Sequence, residues 1–563
     1  MALVEWIQIL IFIGALFITV PLLGSYMALV FEGKPTFLHP VLEWLETLTY
    51  RVSGINPADK MHWKTYVNSI LLFSLWGFLT VFLLQIFQAY LPLNPQNFGN
   101  VPVTTAFNAA SSFATNTGWE SYAPETSYSY TLQILGVTVQ YFLSAATGLS
   151  VAVAFIRGIT NRNLESLGNF WQDMVRSVVY ILLPLSLALA LFLTTQGVVQ
   201  TLLPYIEMET LEGGKQTLPL GPAASQIAIK QLGSNCGGFF KANSAHPIEN
   251  PNGLTNFIEM LAILAIPAAT TYMYGTMVKS RKHGWILFFV MFSLWCVSLG
   301  VSLYSEYLPN PVLGEYPVLE GKEVRFGISS SILWTISSTA SSNGSTNAVL
   351  TSLSPLAGGC ALFNMMLGEV IFGGIGTGLC SMLMFVLLTV FLSGLIVGRT
   401  PEYIGKKIEK REMQWIIIAI VIPGVMILAA SGVSCILPAG LKGITSHGPH
   451  GLTSVIYAFS SAAGNNGSKF TALIVTSNYY NLLIGVIMII GRIAILIPSI
   501  AVAGYLSQKE ISVYSSGTYS TATIAFAILL TGVILIFGIL TFFPAISLGP
   551  LIEHFFMLHG KSY

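Results

Sequence analysis

Four short stretches of this chain join a run of small residues to a turn containing asparagine and glycine. They are Phe107–Gly118 (FNAASSFATNTG), Ile227–Gly238 (IAIKQLGSNCGG), Trp334–Ser345 (WTISSTASSNGS) and Val455–Ser468 (VIYAFSSAAGNNGS). Such turns suit one kind of chemistry, the holding of a dehydrated monovalent cation. Stripping water from K⁺ takes several oxygen dipoles at matched distance, supplied by backbone carbonyls and small hydroxyl or amide groups. A turn that aims them needs residues tolerant of left-handed backbone angles, which glycine adopts freely and asparagine often. The candidates are Thr115, Asn116, Thr117 and Gly118; Ser234, Asn235, Cys236 and Gly237; Ser342, Asn343 and Gly344; and Asn465, Asn466 and Gly467. Each turn ends a half-length helical stretch, whose negative C-terminal pole would favour a cation. One such turn alone is an ordinary helix cap. Four at matching places predict a K⁺ pore.

Other chemistries find little support. His246, Glu249, His447 and His450 are the one plausible catalytic cluster, and HGPH lacks the i, i+4 spacing of a zinc motif. The sequence holds no GxxxxGK[ST] loop and no DKTGT motif, so no unaided ATP hydrolysis is expected. No resident cofactor is expected, K⁺ being the transported ion. Five scattered cysteines form no CxxC pair and imply neither a disulfide framework nor a zinc site. A net charge of +1 argues against a nucleic-acid partner.

The elements that must position these turns are membrane helices. Hydrophobic residues make up 53% of the chain and charged residues 9%, against roughly 25% charged in soluble domains. Most of the outside must therefore meet lipid. A crossing needs about 20 mostly apolar residues, and ten segments qualify: 6–31, 62–93, 129–156, 170–199, 254–279, 284–307, 357–398, 413–437, 479–507 and 519–547. The first follows Glu5 rather than a basic region and is too long for a signal-peptide core, so it is expected to be retained. The half-helices fall after spans two, four, six and eight. Basic loops stay in the cytoplasm. Placing the loops after the odd-numbered spans there puts sixteen Lys and Arg inside and eight outside. Both termini and all four turns then face outward. Every repeat begins on the same side, so the repeats are related by an axis along the membrane normal.

The fold class expected is thus an all-α polytopic membrane protein with four helix–pore-loop–helix repeats in a pseudo-fourfold arrangement. The corresponding division is 1–60 (first span and cytoplasmic loop), 61–160, 161–282, 283–411 and 412–510 (the four repeats), and 511–563 (last span). The outer segments Tyr205–Pro222 and Glu306–Phe326 are expected to be solvated connectors, with docking of another subunit as the alternative.

Two features depart from plain membrane helices. The seventh segment is twice the length of one crossing, and its middle, LGEVIFGGIGTGL, sets Glu369 beside Gly373, Gly374, Gly376 and Gly378. Each glycine costs about 1 kcal/mol relative to alanine within a helix, so a broken helix lining a cavity is expected; close packing through small residues is the other reading. Arg492 lies about midway along the ninth span. Leaving it in lipid would cost about 2.5–3.5 kcal/mol, so it should face protein or a cavity, either paired with Glu369 or freed carbonyls, or acting on the ion path.

The strings TNTGWESY, SNCGGFFKANSAHPIENP, PLAGG, MLGEVIFGGIGTGL, GRTPEYIGKKIEKRE and GNNGS closely resemble the potassium-binding A subunit of the bacterial Kdp potassium-transporting ATPase. The resemblance runs essentially end to end. It implies membership of the superfamily of Trk, Ktr and HKT K⁺ transporters. It also implies a complex with a P-type ATPase catalytic subunit, a single-span C subunit and a small F peptide in the bacterial inner membrane. K⁺ would enter from the periplasm and turn sideways through an intramembrane tunnel to the ATPase subunit. A basic residue in the fourth repeat of that superfamily gives Arg492 the role of barrier to straight passage. Gly118 and Glu120 stand where the family pattern has Asn and Gln, and Lys241 where it has Asn. Glu120 and Lys241 thus add opposite charges near the mouth. A stand-alone Trk-type channel or symporter and a multi-span membrane enzyme are the competing readings.

Overall fold

A computed structural model describes residues 1–162, 165–312, 314, 318–511 and 520–561. Ten of its helices are long and apolar enough to cross a membrane: Leu3–Phe31, Trp63–Ile86, Leu132–Thr160, Phe170–Thr195, Gly253–Met277, Arg281–Tyr307, Thr377–Val397, Lys410–Ile436, Asn478–Ser507 and Ile524–Leu558. They are called spans one to ten below, and they make the chain a multi-pass membrane protein. Each corresponds to one of the segments read from the sequence. Residue 519, the expected start of the last, lies outside the described residues, as do 313 and 315–317 of the second outer segment.

Four half-helices, Val103–Ala114, Ala223–Leu232, Gly327–Ala340 and Gly448–Ala463, follow spans two, four, six and eight. Each packs on the span before it. Their small residues explain the fit: Ala106, Ala109, Ala110, Ser111 and Ser112 are all buried in the first, and Ser454, Ala458, Ser460, Ser461 and Ala462 in the last. Short side chains let a half-helix sink between full spans without opening voids.

Burial separates inner from outer helices. In spans three, five, seven and nine, 83, 72, 61 and 67% of the apolar window is buried, against 17, 39, 56 and 33% in spans two, four, six and eight. In each pair the helix after the polar turn is thus the more buried, by a wide margin in three pairs and narrowly in spans six and seven. Spans one and ten are also peripheral, at 28 and 22%.

The seventh segment is indeed two helices, Pro355–Met366 and Thr377–Val397, with irregular chain between. The second span stops at Ile86, giving way to a short 3₁₀ turn at Gln88–Tyr90. A further helix, His39–Ser53, lies in the first loop, where the sequence pattern was too short and mixed to single it out. The first outer segment forms an exposed hairpin, Ile206–Glu209 with Lys215–Leu218. In the second, Lys322 turns inward to a buried ion pair with Glu306 at 2.8 Å.

Candidate cation-binding site

The four half-helices end alike. Their C-cap residues Thr115, Gly233, Ser341 and Gly464 have φ of −99, −81, −94 and −86° and ψ of 7, 1, 8 and 9°. The next residue is left-handed in each: Asn116 (φ 63°), Ser234 (47°), Ser342 (52°) and Asn465 (48°). The residue after that donates its N–H five positions back, Thr117 to Ser112, Asn235 to Lys230, Asn343 to Ser338 and Asn466 to Ser461, at 2.8–3.0 Å. One backbone motif is thus built four times from four different sequences.

This register fixes which residues correspond. Gly118, Gly344 and Gly467 are equivalent, with φ of 70, 71 and 95°. Their counterpart in the second loop is Cys236, not Gly237 as the run of glycines suggests; Gly237 stands one residue further on, also at positive φ (74°). Gly118 shows what the position demands, since a Cβ there would collide with the backbone of Cys236.

Side-chain amides close the loops into a ring. Asn116 Nδ2 donates to the carbonyl of Ser234 at 2.8 Å, joining loops one and two. Asn343 Nδ2 donates to the carbonyl of Asn235 at 3.0 Å, joining three to two. Asn466 Nδ2 donates to the carbonyl of Ser338 at 3.0 Å, joining loop four to the third half-helix. Asn465 Nδ2 donates to Thr117 Oγ1 at 3.0 Å, closing four onto one. Asn235 Oδ1, Asn465 Oδ1 and Ser234 Oγ are buried without a hydrogen-bond partner, which leaves acceptor oxygens at the ring. Buried amides and carbonyls of this kind are what a cation exchanges for water.

An open recess of about 620 Å³ lies over the ring, bordered by Gly118, Cys236, Gly344 and Gly467 together with Glu120, Lys241 and Lys469. Glu120 Oε1 accepts the Gly238 N–H at 3.0 Å, and Lys469 Nζ donates to the Glu120 backbone carbonyl while lying 5.6 Å from the Trp119 ring centroid. Burial pushes the Glu120 carboxyl up to about 8 and the Lys469 ammonium down to about 8, each partly opposed by the other's charge. Lys241 is exposed, and its N–H donates to Glu125 at 2.9 Å.

Behind the second loop stands a charge pair that sequence reasoning missed. Lys230, on the second half-helix, and Glu249 are both fully buried and ion-paired. Lys230 also donates to Asn243 Oδ1 at 2.9 Å, and Asn243 Nδ2 donates to the Gly237 carbonyl at 3.0 Å. The pair therefore braces the loop through Asn243. The sequence signal was Lys230 inside an apolar half-helix, a charge that demands a partner. The histidines form no cluster with Glu249: His246 stacks on Phe240 at 3.9 Å, and His450 Nδ1 pairs with Glu553 at 2.8 Å.

The glycine-rich break passes just below the ring. Glu369 accepts from Thr377 Oγ1 at 2.6 Å and from the Gly374 N–H at 3.2 Å, so its carboxylate ties the irregular chain to the first residue of span seven. Glu369 (φ 60°), Phe372 (61°), Gly373 (64°) and Gly376 (75°) are all left-handed. A Cβ on Gly376 would strike the carbonyl of Gly148, so the break docks on span three at that point; Gly378 sits as close to Phe372. Arg492 is buried in the same neighbourhood, as its position required; it donates to the Ser144 carbonyl of span three at 3.1 Å, and the Glu369 carboxylate acts on its charge from nearby without a direct ion pair. A small cavity of about 40 Å³ lies beside Glu369, Gly464 and Gly491, toward span eight.

Together these features define a multi-pass membrane protein with a polar ring built from four equivalent loops. Its fold is similar to that of the potassium transporter TrkH from Vibrio parahaemolyticus, with a TM-score of 0.53 at 13% identity over 88% of this chain and 97% of that one. The family model described as potassium-transporting ATPase A subunit matches residues 10–555. The potassium-transporting ATPase potassium-binding subunits of Leptospira interrogans and Pseudomonas aeruginosa are each 47% identical, covering 99 and 98% of this chain and 100 and 98% of theirs. The chain belongs to the family of potassium-transporting ATPase A subunits.

Proposed function

We propose that this chain is the K⁺-binding and translocating subunit of an ATP-driven K⁺ uptake complex. The observation that carries the reading is the ring of four equivalent loops, tied by the amides of Asn116, Asn343, Asn465 and Asn466. K⁺ sheds its water at Thr115–Gly118, Ser234–Gly237, Ser342–Gly344 and Asn465–Gly467, whose carbonyls and small polar side chains replace the hydration shell. The family supports this reading over a self-sufficient Trk-type transporter, because a potassium-binding subunit leaves ATP hydrolysis to a partner.

Below the ring, Arg492 opposes straight passage to the cytoplasm. Glu369 with Gly373, Gly374, Gly376 and Gly378 forms the bend through which K⁺ turns, and the small cavity beside Glu369 marks the start of that route. The partners are a P-type ATPase catalytic subunit, a single-span C subunit and a small F peptide. The complex sits in the bacterial inner membrane with both termini of this chain in the periplasm. The four repeats divide the chain at residues 61, 161, 283 and 412. Gentle detergent purification followed by mass spectrometry tests the assembly. A P-type ATPase recovered with the chain is the expected result; recovery of the chain alone with full transport activity would contradict it.

A further inference from the structure

The ring has one position out of step. Following Thr117, Asn235, Asn343 and Asn466 come Gly118, Cys236, Gly344 and Gly467. Three of these carry no side chain, and the fourth carries a thiol. That thiol points into the ring. Cys236 Sγ donates to the Gly344 carbonyl of loop three at 2.9 Å, and a Cβ on Gly467 of loop four would lie 3.2 Å from it. The Cys236 N–H reaches the Thr117 carbonyl of loop one at 3.4 Å. Loops two and four share none of the amide bonds that close the ring. A side chain of loop two that meets both loop three and loop four therefore lies across its middle.

The backbone around this thiol is held in place. The Tyr141 hydroxyl donates to the Cys236 carbonyl at 2.8 Å, and Asn343 holds the carbonyl of Asn235. The thiol itself is held only by weak bonds, its own to the Gly344 carbonyl and one from Asn243 Nδ2 at 3.8 Å, so χ1 of Cys236 is the torsion through which it would leave that carbonyl.

We propose that Cys236 is a specificity-determining latch of the ring, its thiol filling the level of the three glycines and holding the Gly344 carbonyl until a cation replaces it. The proposal rests on the ring being the K⁺ path. A thiol is a weak donor, so a cation that fits the carbonyls displaces it readily, while one that fits poorly does not recover the lost bond. Burial, with the nearby Glu120 carboxyl adding to it, pushes the thiol up to about 12, so it remains an S–H donor at neutral pH. Replacing Cys236 with Gly makes the level uniform and removes the latch. Cys236→Gly should lower discrimination between K⁺ and the poorly fitting Na⁺ by about ten-fold, the scale on which single pocket contacts act.

Silver ion tests the placement of the thiol, because it is a monovalent cation that binds thiols, displacing the proton to leave a silver thiolate. The complex is reconstituted in vesicles in nitrate buffer, and K⁺ uptake is followed before and after external Ag⁺. Uptake by the wild type should fall about ten-fold, and excess K⁺ should slow that fall by competing for the ring. Cys236→Ser, which retains Cys296, Cys360, Cys380 and Cys435, should resist silver relative to its own untreated rate. Equal silver sensitivity of wild type and Cys236→Ser, or a loss that K⁺ does not slow, would overturn the latch while leaving the transport reading standing. No K⁺ uptake before silver is added would overturn both.

Discussion

At the scale of single residues, the mouth of the ring is set by Glu120 and Lys469. Their titration near pH 8 has one sign whichever group loses its proton first. With Glu120 neutral and Lys469 charged, the pair is positive. Each proton lost on raising the pH makes the mouth more negative and favours a cation. The KM for K⁺ should therefore fall as pH rises through about 8, and Glu120→Gln should flatten that profile; an unaltered profile in Glu120→Gln would remove the carboxyl from the mouth. Gly237 is the second residue to test. A Cβ there would lie 2.6 Å from Glu120 Oε1, so Gly237→Asp sets a second carboxyl against a buried one. Uptake at low external K⁺ should weaken and discrimination against Rb⁺ or NH₄⁺ should relax. Unchanged affinity and selectivity would take the second loop out of the filter.

At the scale of elements, the half-helices and the broken seventh span bring the candidate residues together. Arg492 holds the Ser144 carbonyl close to the point where Gly376 docks on Gly148. Its charge therefore sits where the bend meets span three. Arg492→Met or Arg492→Gln removes that charge while keeping a side chain of similar length. Reconstituted complexes should then leak K⁺ without ATP or move less K⁺ per ATP; fully ATP-dependent flux with unchanged coupling would make Arg492 a structural residue only. The Lys230–Glu249 pair makes a different claim. Removing one partner of a buried pair typically costs about 3–5 kcal/mol, so Lys230→Met should lower the thermal stability of the complex. Lys230→Met combined with Glu249→Gln should restore part of the loss, and thermal unfolding of both variants measures it.

Much of this was legible in the sequence. Apolar length alone places all ten spans, because lipid forces every backbone bond inside a helix. The four Asn/Gly turns mark the ring for a related reason, as few residues accept left-handed angles. What the sequence hid was register and partnership. Neighbouring glycines made Gly237 look like the equal of Gly118, and the hydrogen bond from Asn235 to Lys230 shows that Cys236 holds that place. The partner of Arg492 was equally hidden, since Ser144 offers a backbone carbonyl and not a charge. Lys230 counted as one more outward basic residue until its buried partner, 19 residues away, came into view.

At the scale of the whole molecule, the central claim is a division of labour: this chain selects K⁺ and a separate subunit hydrolyses ATP. The peripheral spans leave ample apolar surface for that partner, with exposed side chains such as Ile524, Ile528 and Leu540 on span ten and Ile417 and Val425 on span eight. The purified chain alone should bind K⁺ and show no ATPase activity above background, with K⁺-stimulated hydrolysis appearing when the catalytic subunit is added. Radiotracer K⁺ uptake into sealed vesicles, with and without that subunit and ATP, tests the claim most directly. Accumulation against a gradient is expected only when the chain, the ATPase subunit and ATP are all present. Accumulation by the chain alone, or robust ATP hydrolysis by the chain free of partners, would contradict it.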